Sequence, residues 1–225
     1  MKPRTVAIDG SAASGKSTLA SALAGRLKYL YLDTGVMYRA VTWAALKQNV
    51  DINDEAAVSE LAEKIDLQIL PSEVDDGRQA TILVNGRDVT WLIRGPEVNV
   101  NVSQVSSYPR VRQVLTRQQR KIAQQGPVVM AGRDIGTVVL PNADLKLFIV
   151  ASAEVRARRR HLECIERGET LNFDELLASI IRRDKLDREK PISPMIPAQD
   201  AVIINTDGLS QQAVLERVLA LMENS

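Results

Sequence analysis

The sequence is poor in cysteine, aromatic residues and long apolar runs, and each shortage excludes a class of protein. Its 225 residues contain one cysteine, Cys164, so no disulfide can form within the chain. Aromatic residues make up 4% of the sequence, too few for a platform that stacks the bases of single-stranded nucleic acid. No uncharged apolar run reaches the roughly 18 residues of a membrane span, and no apolar signal segment opens the sequence. We therefore expect a cytoplasmic protein with no membrane partner.

Neither sign of charge is in excess. The 29 Lys and Arg residues and the 28 Asp and Glu residues leave a net charge of +1, which does not support general binding of nucleic acid. Any anionic ligand must therefore be bound by a local group of cations. Hydrophobic residues make up 45% of the sequence and charged residues 25%, a composition that excludes disorder and is sufficient for one sizeable core.

Short β-branched segments alternate with longer helical patterns along most of the chain, which is typical of a parallel sheet covered by helices on both faces. The predicted fold class is therefore α/β, a three-layer α/β/α arrangement around a five-stranded parallel sheet. The candidate strands are almost continuously apolar, which suits strands buried on both faces. They are Thr5 to Asp9, Tyr29 to Asp33, Pro127 to Ala131, Leu145 to Ala151 and Ala201 to Asn205.

This alternation stops between about residues 64 and 96, where single apolar and polar residues alternate instead. A period of two fits an antiparallel sheet with one solvated face. The dipeptide Asn85-Gly86 favours a type I′ hairpin turn within it. We therefore predict one domain over residues 1–225 that carries a small antiparallel insertion at residues 64–96.

The most informative segment follows the first candidate strand and has the pattern G-x-x-x-x-G-K-S of a phosphate-binding P-loop. Its glycines let successive backbone N–H groups turn toward a phosphate at the start of the next helix. Its lysine adds a positive charge, and the hydroxyl of Ser17 is placed to bind Mg²⁺ on the phosphates. A flexible turn rich in Ser and Gly is the alternative. We expect a nucleoside triphosphate to bind at Gly10, Ser11, Ala12, Ala13, Ser14, Gly15, Lys16, Ser17 and Thr18.

Polar residues also follow two other candidate strands, at the edge of an open α/β sheet where ligands bind. Thr34 and Arg39 come after the second strand; an ordinary helix cap and a solvated arginine are the alternative, but the neighbouring P-loop favours a ligand contact. Arg133 and Asp134 lie between two glycines. Arg133 can form paired hydrogen bonds with a phosphate, and Asp134 can either hold a water on Mg²⁺ or accept a hydrogen bond from substrate. A surface turn closed by a local ion pair is the alternative for both.

Arginine is also concentrated in the predicted helices. Arg112 lies in the first turn of a helix that begins near Pro109, where either solvent or a bound anion or polar ligand must compensate its charge. Two later blocks lie within residues 156–190 and are joined by a turn, so we predict a basic lid that closes over the phosphates. Its second helix is expected to place three charged residues on one face, for which a solvated surface is the alternative. They are Arg183, Asp187 and Lys190.

Along nearly its whole length the sequence closely resembles the bacterial cytidylate kinases. The segment GRDIGTVV, together with the later RD-x-x-D helix, is a more specific match than the P-loop. The resemblance implies a nucleoside monophosphate kinase core that transfers the γ-phosphate of ATP to CMP or dCMP. The matching segments are IDGSAASGKST, YLDTGVMYRAV, SQVSSYPRVRQVLTRQQR, AGRDIGTVVLPNADLKLFIVAS, RARRR, LLASIIRRDKLDREK and AQDAVIINTDGLS.

Position by position, the resemblance implies contacts with the acceptor nucleotide. Ser103, Arg112 and Asp134 look like the readers of the cytosine base. Arg183 and Asp187 look like a clamp on its sugar and phosphate. At Lys190 the family usually has arginine, so either Lys190 supplies charge without a planar fork or the nearby Arg188 replaces it. The full set is Thr34, Arg39, Ser103, Arg112, Arg133, Asp134, Arg183, Asp187 and Lys190.

The chemistry that the resemblance implies is largely electrostatic. A nucleoside monophosphate is mostly dianionic near neutral pH and needs no general base. Cations must screen the charges of the two nucleotides from each other. The expected cofactor is Mg²⁺, held by Ser17. The expected partners are ATP and CMP or dCMP, and the enzyme is expected to be a monomer. A P-loop kinase for another acceptor is the main rival; a GTP-dependent switch would need an Asn-Lys-x-Asp run, which the sequence lacks. The catalytic residues are expected to be Lys16, Arg133, Arg159, Arg160 and Arg183.

Overall fold

A computed structural model of the chain describes residues 2–166, 168, 171–189 and 193–223. These residues form a mixture of strands and helices, as the sequence predicts. The predicted contact at Lys190 and most of the predicted turn at residues 167–170 lie outside the described residues. The elements are β1 (Thr5–Gly10), α1 (Lys16–Leu27), β2 (Leu30–Asp33), α2 (Gly35–Lys47), α3 (Glu55–Lys64), β3 (Leu67–Pro71), β4 (Ala80–Val84), β5 (Arg87–Asp88), α4 (Pro96–Val105), α5 (Pro109–Gln125), β6 (Val128–Gly132), β7 (Leu145–Val150), α6 (Ala153–Glu166), α7 (Phe173–Glu189), β8 (Val202–Asn205) and α8 (Gln211–Glu223).

The main sheet has five parallel strands in the order β2-β6-β1-β7-β8, so the predicted α/β fold class is confirmed. Its central strand, β1, pairs in parallel with β6 and with β7. Residues 6–8 of β1 are fully buried, as expected for an apolar strand with a neighbour on each side. The outer strand β8 differs from the prediction of burial on both faces, because Ile203 is 55% exposed. An edge strand has a neighbour on one side only and is therefore less covered.

The chain divides into two compact units, of which the first comprises residues 1–29 and 128–225. It contains β1, β6, β7 and β8, and helices α1, α6, α7 and α8. Helix α1 packs on this sheet through Leu19, Ala20, Leu23 and Ala24, which are buried and recur at the three- and four-residue spacing of one helix face. This unit contains the whole P-loop.

The second compact unit comprises residues 30–127. It contains a separate three-stranded antiparallel sheet in the order β3-β4-β5, as the alternating pattern predicts. Asn85 and Gly86 join β4 to β5 with φ angles of 51° and 75°, the left-handed conformations that a type I′ turn requires. The predicted insertion at residues 64–96 contains this small sheet, and the assignment of one domain to the whole chain stays a prediction.

Helix boundaries also follow local signals. Pro109 begins α5, where its missing N–H costs no hydrogen bond. Asn172 caps α7 by accepting hydrogen bonds from the N–H groups of Asp174 and Glu175 at 2.8 and 3.2 Å. In the part of the chain that the structure describes, no helix combines the length and apolar character needed to cross a membrane.

Candidate active site

The P-loop connects β1 to α1 through backbone conformations that only glycine adopts readily. Gly10 has a φ angle of 149°, and a Cβ atom there would lie 2.3 Å from the carbonyl oxygen of Ile149. Gly15, the N-cap residue of α1, has a φ angle of 90°. The two glycines therefore let the chain turn sharply out of the sheet and enter the helix. The first N–H groups of an α-helix have no partner within the helix, so the loop presents hydrogen-bond donors to an anion.

Side chains of the loop hold this conformation from within. The hydroxyl of Ser14 donates to the carbonyl oxygen of Ser11 at 2.9 Å, and Ser14 is fully buried. The ammonium of Lys16 donates to the same carbonyl at 3.3 Å. Lys16 is thus placed beside the mouth of the loop, where its charge acts on whatever the N–H groups bind.

Two arginines of α6 bind carbonyl oxygens of the same loop. Arg156 donates to the carbonyl oxygen of Ala12, and Arg159 donates to that of Ser14, each at 3.4 Å. Arg159 also donates to the carbonyl oxygen of Thr206 at 2.9 Å, and the hydroxyl of Thr206 donates to Ser14 at 3.2 Å. These hydrogen bonds fix the carbonyl groups of Ala12 and Ser14 and so hold the loop to α6 and to the segment after β8.

A cavity of about 770 Å³ opens beside the loop. It is large enough for a nucleotide, since ligand pockets of drug-sized molecules range from about 300 to 1,000 Å³. Its walls come from the P-loop, α6, the segment after β8 and α8, all of which belong to the first compact unit. Arg159 and Arg160 contribute their side chains to one wall.

A second group of charged residues in the first unit surrounds Asp187. Arg133 donates to this carboxylate at 2.5 Å, and the guanidinium of Arg183 lies 4.0 Å from it. The side chain of Asp187 is 5% exposed, whereas that of Arg183 is 55% exposed. The structure therefore brings these three predicted site residues together, and Asp187 is not part of a solvated charged face.

The turn after β6 is held by the buried carboxylate of Asp9. Asp9 accepts hydrogen bonds from the N–H groups of Ile135 and Gly136, each at 2.7 Å. Burial raises the pKa of Asp9 to about 6, although these two hydrogen bonds lower it; the nearby charge of Asp134 raises it, and that of Lys16 lowers it. Asp134 is itself 7% exposed, which does not fit the alternative of a surface turn closed by a local ion pair.

In the second unit, Arg39 and Arg112 each have specific partners. Arg39 donates to the side-chain oxygen of Asn99 at 2.6 Å and to the carbonyl oxygen of Ile93 at 3.1 Å. Arg112 donates to the carbonyl oxygen of Ser106 at 3.2 Å, and its guanidinium lies 5.6 Å from the centre of the Tyr38 ring. Neither arginine is therefore simply solvated, because each is fixed by backbone and side-chain contacts.

The other two predicted residues of this unit differ in exposure. Thr34 is 5% exposed and occupies the N-cap position of α2, but its hydroxyl makes no capping hydrogen bond. Ser103 is exposed on α4. The alternative of an ordinary helix cap is thus correct in placing Thr34 at the N-cap position. It is wrong in assigning a capping hydrogen bond to the side chain.

Comparison with known proteins agrees with this geometry. The family model described as cytidylate kinase matches residues 6–224. The chain belongs to the cytidylate kinase family. A cytidylate kinase of Chloroflexus aggregans is 51% identical over 96% of this chain and 93% of its own length. One from Bacillus subtilis is 45% identical over 99% and 97% of the two chains. The resemblance seen in the sequence is confirmed.

A solved structure supports the fold of this cytidylate kinase family member. An uncharacterised protein from Eubacterium ventriosum superposes with a TM-score of 0.52 over 98% of this chain and 99% of its own. The two sequences are 10% identical, so this similarity concerns the fold alone. Much of the fold is thus shared with a distant sequence, so membership of the family is shown by specific residues and not by the fold.

Several residues that hold the site of this cytidylate kinase are not among those predicted from the sequence. Asp9 ends the first predicted strand, and an acidic residue at the end of an apolar strand is a usable signal. Arg156 belongs to a predicted basic block without a role of its own, yet it is 3% exposed and binds the P-loop. Asn99, the partner of Arg39, has no sequence signal, because only tertiary packing pairs residues 60 positions apart.

Proposed function

We propose that the protein transfers the γ-phosphoryl group of ATP to CMP or dCMP, giving ADP and CDP or dCDP. The observation that carries this proposal is the P-loop at the start of α1, open to a nucleotide-sized cavity, in a chain that matches the cytidylate kinase family over residues 6–224. A P-loop alone is shared by switches and many kinases, so the acceptor is inferred from family membership.

The donor is proposed to bind with its triphosphate on the P-loop. The N–H groups of residues 15–18 would bind phosphate oxygens, and Lys16 would neutralise charge on the β- and γ-phosphates. Arg159, which hydrogen bonds fix beside the loop, and Arg160 in the cavity wall would add positive charge next to the phosphates. The remaining cavity would take the nucleoside of ATP.

Nucleotide kinases generally require a divalent metal ion, and the residues present fit Mg²⁺. The described residues contain no group of three or more His, Cys, Asp or Glu that could hold a metal ion. An ion bound through one hydroxyl, water and phosphate oxygens suits Mg²⁺, which keeps several waters in nucleotide sites. Ser17 in the first turn of α1 would supply that hydroxyl. When bound, the ion would neutralise the charge that develops on the phosphates.

The acceptor contacts are proposed from family membership, residue by residue, for each compact unit by itself. Those of the first unit are Arg133, Asp134, Arg183 and Asp187, three of which are linked by ion pairs. In this role the ion pairs would keep two guanidinium groups next to one buried carboxylate and ready to bind a phosphate. Those of the second unit are Thr34, Arg39, Ser103 and Arg112. Lys190 stays a predicted contact, since it lies outside the described residues.

The transfer needs little chemistry from the side chains. An oxygen of the CMP phosphate forms a bond to the γ-phosphorus while the bond between that phosphorus and the β–γ bridging oxygen breaks, and ADP leaves. The phosphate is mostly dianionic at neutral pH, so no proton has to be removed. The proposed task of Lys16, Arg133 and Arg183 is to stabilise the charge on the transferring group more strongly than in the ground state.

A panel of acceptors tests this function. Purified protein with ATP and Mg²⁺ is assayed for ADP release with CMP, dCMP, UMP, AMP and no acceptor. We expect turnover with CMP and dCMP to exceed that with AMP at least about tenfold, a difference that one lost hydrogen bond to the base produces. Equal rates with all acceptors, or ATP hydrolysis that ignores the acceptor, would contradict the proposal. Variant Lys16→Ala is the negative control.

Four further inferences stay predictions. They are the cytoplasmic location, the monomeric state, the single-domain assignment and the closure of residues 156–190 as a lid. Size-exclusion chromatography with light scattering tests the second, and a mass of about twice 24.8 kDa would contradict it.

A further inference from the structure

Asp9 is an acidic residue at the centre of the main sheet for which phosphoryl transfer requires no role. It lies on β1 directly before the P-loop and is 3% exposed, and the three residues before it are apolar and fully buried. Burying a carboxylate in such a place destabilises a protein unless hydrogen bonds compensate the loss of water. A residue retained at that cost calls for a functional explanation.

The hydrogen bonds of Asp9 all go to one turn of backbone. Its Oδ1 accepts the N–H of Ile135 and its Oδ2 accepts the N–H of Gly136, each at 2.7 Å. These two residues immediately follow Arg133 and Asp134 and begin a π-helical turn, Ile135–Val139. One carboxylate therefore fixes two consecutive peptide groups next to the two predicted acceptor contacts.

The turn also packs closely against side chains of the neighbouring strands. A Cβ atom on Gly136 would lie 3.4 Å from Oδ2 of Asp9 and 3.3 Å from the side chain of Lys146. Lys146 is 8% exposed and donates to the carbonyl oxygen of Pro141 and to Asp200. Gly136 thus lies between a side chain of β1 and one of β7, and its hydrogen bond to the Asp9 carboxylate fixes its distance from the sheet.

We propose that Asp9 is a positioning residue for the acceptor nucleotide, because its carboxylate fixes the turn that aims Arg133 and Asp134. This inference rests on the proposed function, since it assumes that these two residues bind CMP. Asp9 itself touches neither nucleotide in the proposal. It acts through the peptide groups of Ile135 and Gly136, and therefore affects acceptor binding more than donor binding.

The electrostatics of Asp9 make this role dependent on pH. Burial raises its pKa to about 6, so the carboxylate gains a proton in mildly acidic solution. A protonated carboxyl group can no longer accept two N–H groups on two charged oxygens, and the turn loosens. The charged groups that face it are Asp134, which raises the pKa, and Lys16, which lowers it. Lys146, which packs on the same turn, directs its ammonium to Asp200 instead.

The first test uses the wild-type protein without nucleotide. In ¹⁵N-labelled protein, the amide signals of Ile135 and Gly136 are followed by NMR from about pH 5 to about pH 8, a range that contains the raised pKa of a buried carboxyl. We expect both signals to titrate together near pH 6. Signals that do not move in this range would overturn the proposal, whatever substrate the enzyme uses.

The second test compares Asp9→Asn with wild type in the full kinase assay. We expect the KM for CMP to rise about tenfold at pH 8, the effect of one lost charge-assisted hydrogen bond, while the KM for ATP changes less than about twofold. Below about pH 6 the wild-type KM for CMP should approach that of the variant. The titration of CMP itself occurs in both proteins, so their ratio isolates Asp9.

The chain offers a matched control at the opposite end of β1. Asp144 accepts hydrogen bonds from the N–H groups of Arg4 and Thr5 at 2.8 and 2.9 Å, so it also holds two consecutive amides, but it is exposed. Asp144→Asn should leave both KM values unchanged. Equal rises in the KM for CMP and for ATP in Asp9→Asn would overturn the proposal, since Asp9 would then support the whole site.

Discussion

At the scale of single residues, the charged side chains of the site are held by partners far away in the sequence. Arg133 pairs with Asp187, and Arg39 with Asn99, which lie 54 and 60 positions later in the chain. Such pairs restrict the rotamers of long side chains before a ligand arrives and so lower the entropy lost on binding. We therefore expect substitutions at these residues to affect turnover more than folding.

Arg183, whose guanidinium lies 4.0 Å from Asp187 on the same helix, tests whether this group of charges acts in turnover. Its side chain is 55% exposed, so Arg183→Ala should leave the free energy of unfolding nearly unchanged. We expect kcat to fall at least about tenfold, equivalent to about 1.4 kcal/mol of transition-state stabilisation. Arg182→Ala, on the neighbouring exposed position of α7, is the matched control. Unchanged steady-state kinetics in Arg183→Ala would remove this residue from the site.

Asp9 also predicts how stability depends on pH. Its pKa is about 6 in the folded protein against 3.8 ordinarily, so the folded state binds the proton more tightly. The stability of wild type relative to Asp9→Asn should therefore fall as pH rises from about 4 to about 7, by up to about 3 kcal/mol. Urea unfolding at several pH values measures this difference.

The control for this pH dependence has the opposite sign. The hydrogen bond from the backbone N–H of Thr5 is the main cause that holds the pKa of Asp144 below its ordinary value. Wild type should therefore have a higher free energy of unfolding than Asp144→Asn at neutral pH, and this difference should disappear as the pH falls. Parallel curves for the two variants would show that the pKa of Asp9 is not raised.

At the scale of elements, local signals in the sequence were enough to place most boundaries. The hairpin at Asn85-Gly86 and the start of α5 at Pro109 depend on backbone angles that these residue types favour on their own. Boundaries and turns of this kind are short-range effects, so they are visible without tertiary structure. The exposure of the edge strand β8 is not visible in the sequence, because it depends on which strands lie beside β8 in the sheet.

Alanine substitutions at two glycines should change the stability of the protein in opposite directions. Gly86 has a φ angle of 75° in the hairpin turn, so Gly86→Ala should destabilise the protein by about 1 kcal/mol. Gly25 lies within α1 with no atom close to an added Cβ, so Gly25→Ala should stabilise it by about 0.5 to 1 kcal/mol. Thermal unfolding of the two variants compares them directly. The same sign for both would contradict this account.

At the scale of the whole molecule, contacts between distant segments fix the helices that carry the arginines. Arg156 of α6 is 3% exposed and forms a bidentate salt bridge with Asp184 of α7. It also binds the backbone of the P-loop. A buried cation of this kind has its charge compensated only while all its partners are present. It connects the donor loop to the helix of Asp187 within the first unit.

Removing the partner of Arg156 should therefore unfold this unit more easily. We expect Asp184→Asn to lower the free energy of unfolding by about 3 kcal/mol, because it leaves a buried guanidinium without its counter-ion. Glu189→Gln on the same helix is the control, since its pair with Lys185 spans 4.0 Å and is exposed. That change should cost less than about 0.5 kcal/mol. Equal, small effects would show that Arg156 is satisfied by backbone carbonyls alone.

The fold class, the phosphate-binding loop and the family are recognisable in the sequence, because each depends on residue types at short, fixed spacings. Only the folded chain shows that Arg133 pairs with Asp187, that Arg156 and Arg159 bind carbonyl oxygens of the P-loop, and that Asp9 holds the turn after β6. The reason is physical: hydrogen bonds and ion pairs act over about 3 to 4 Å in space, whatever the separation along the chain. Only folding brings those atoms within that distance.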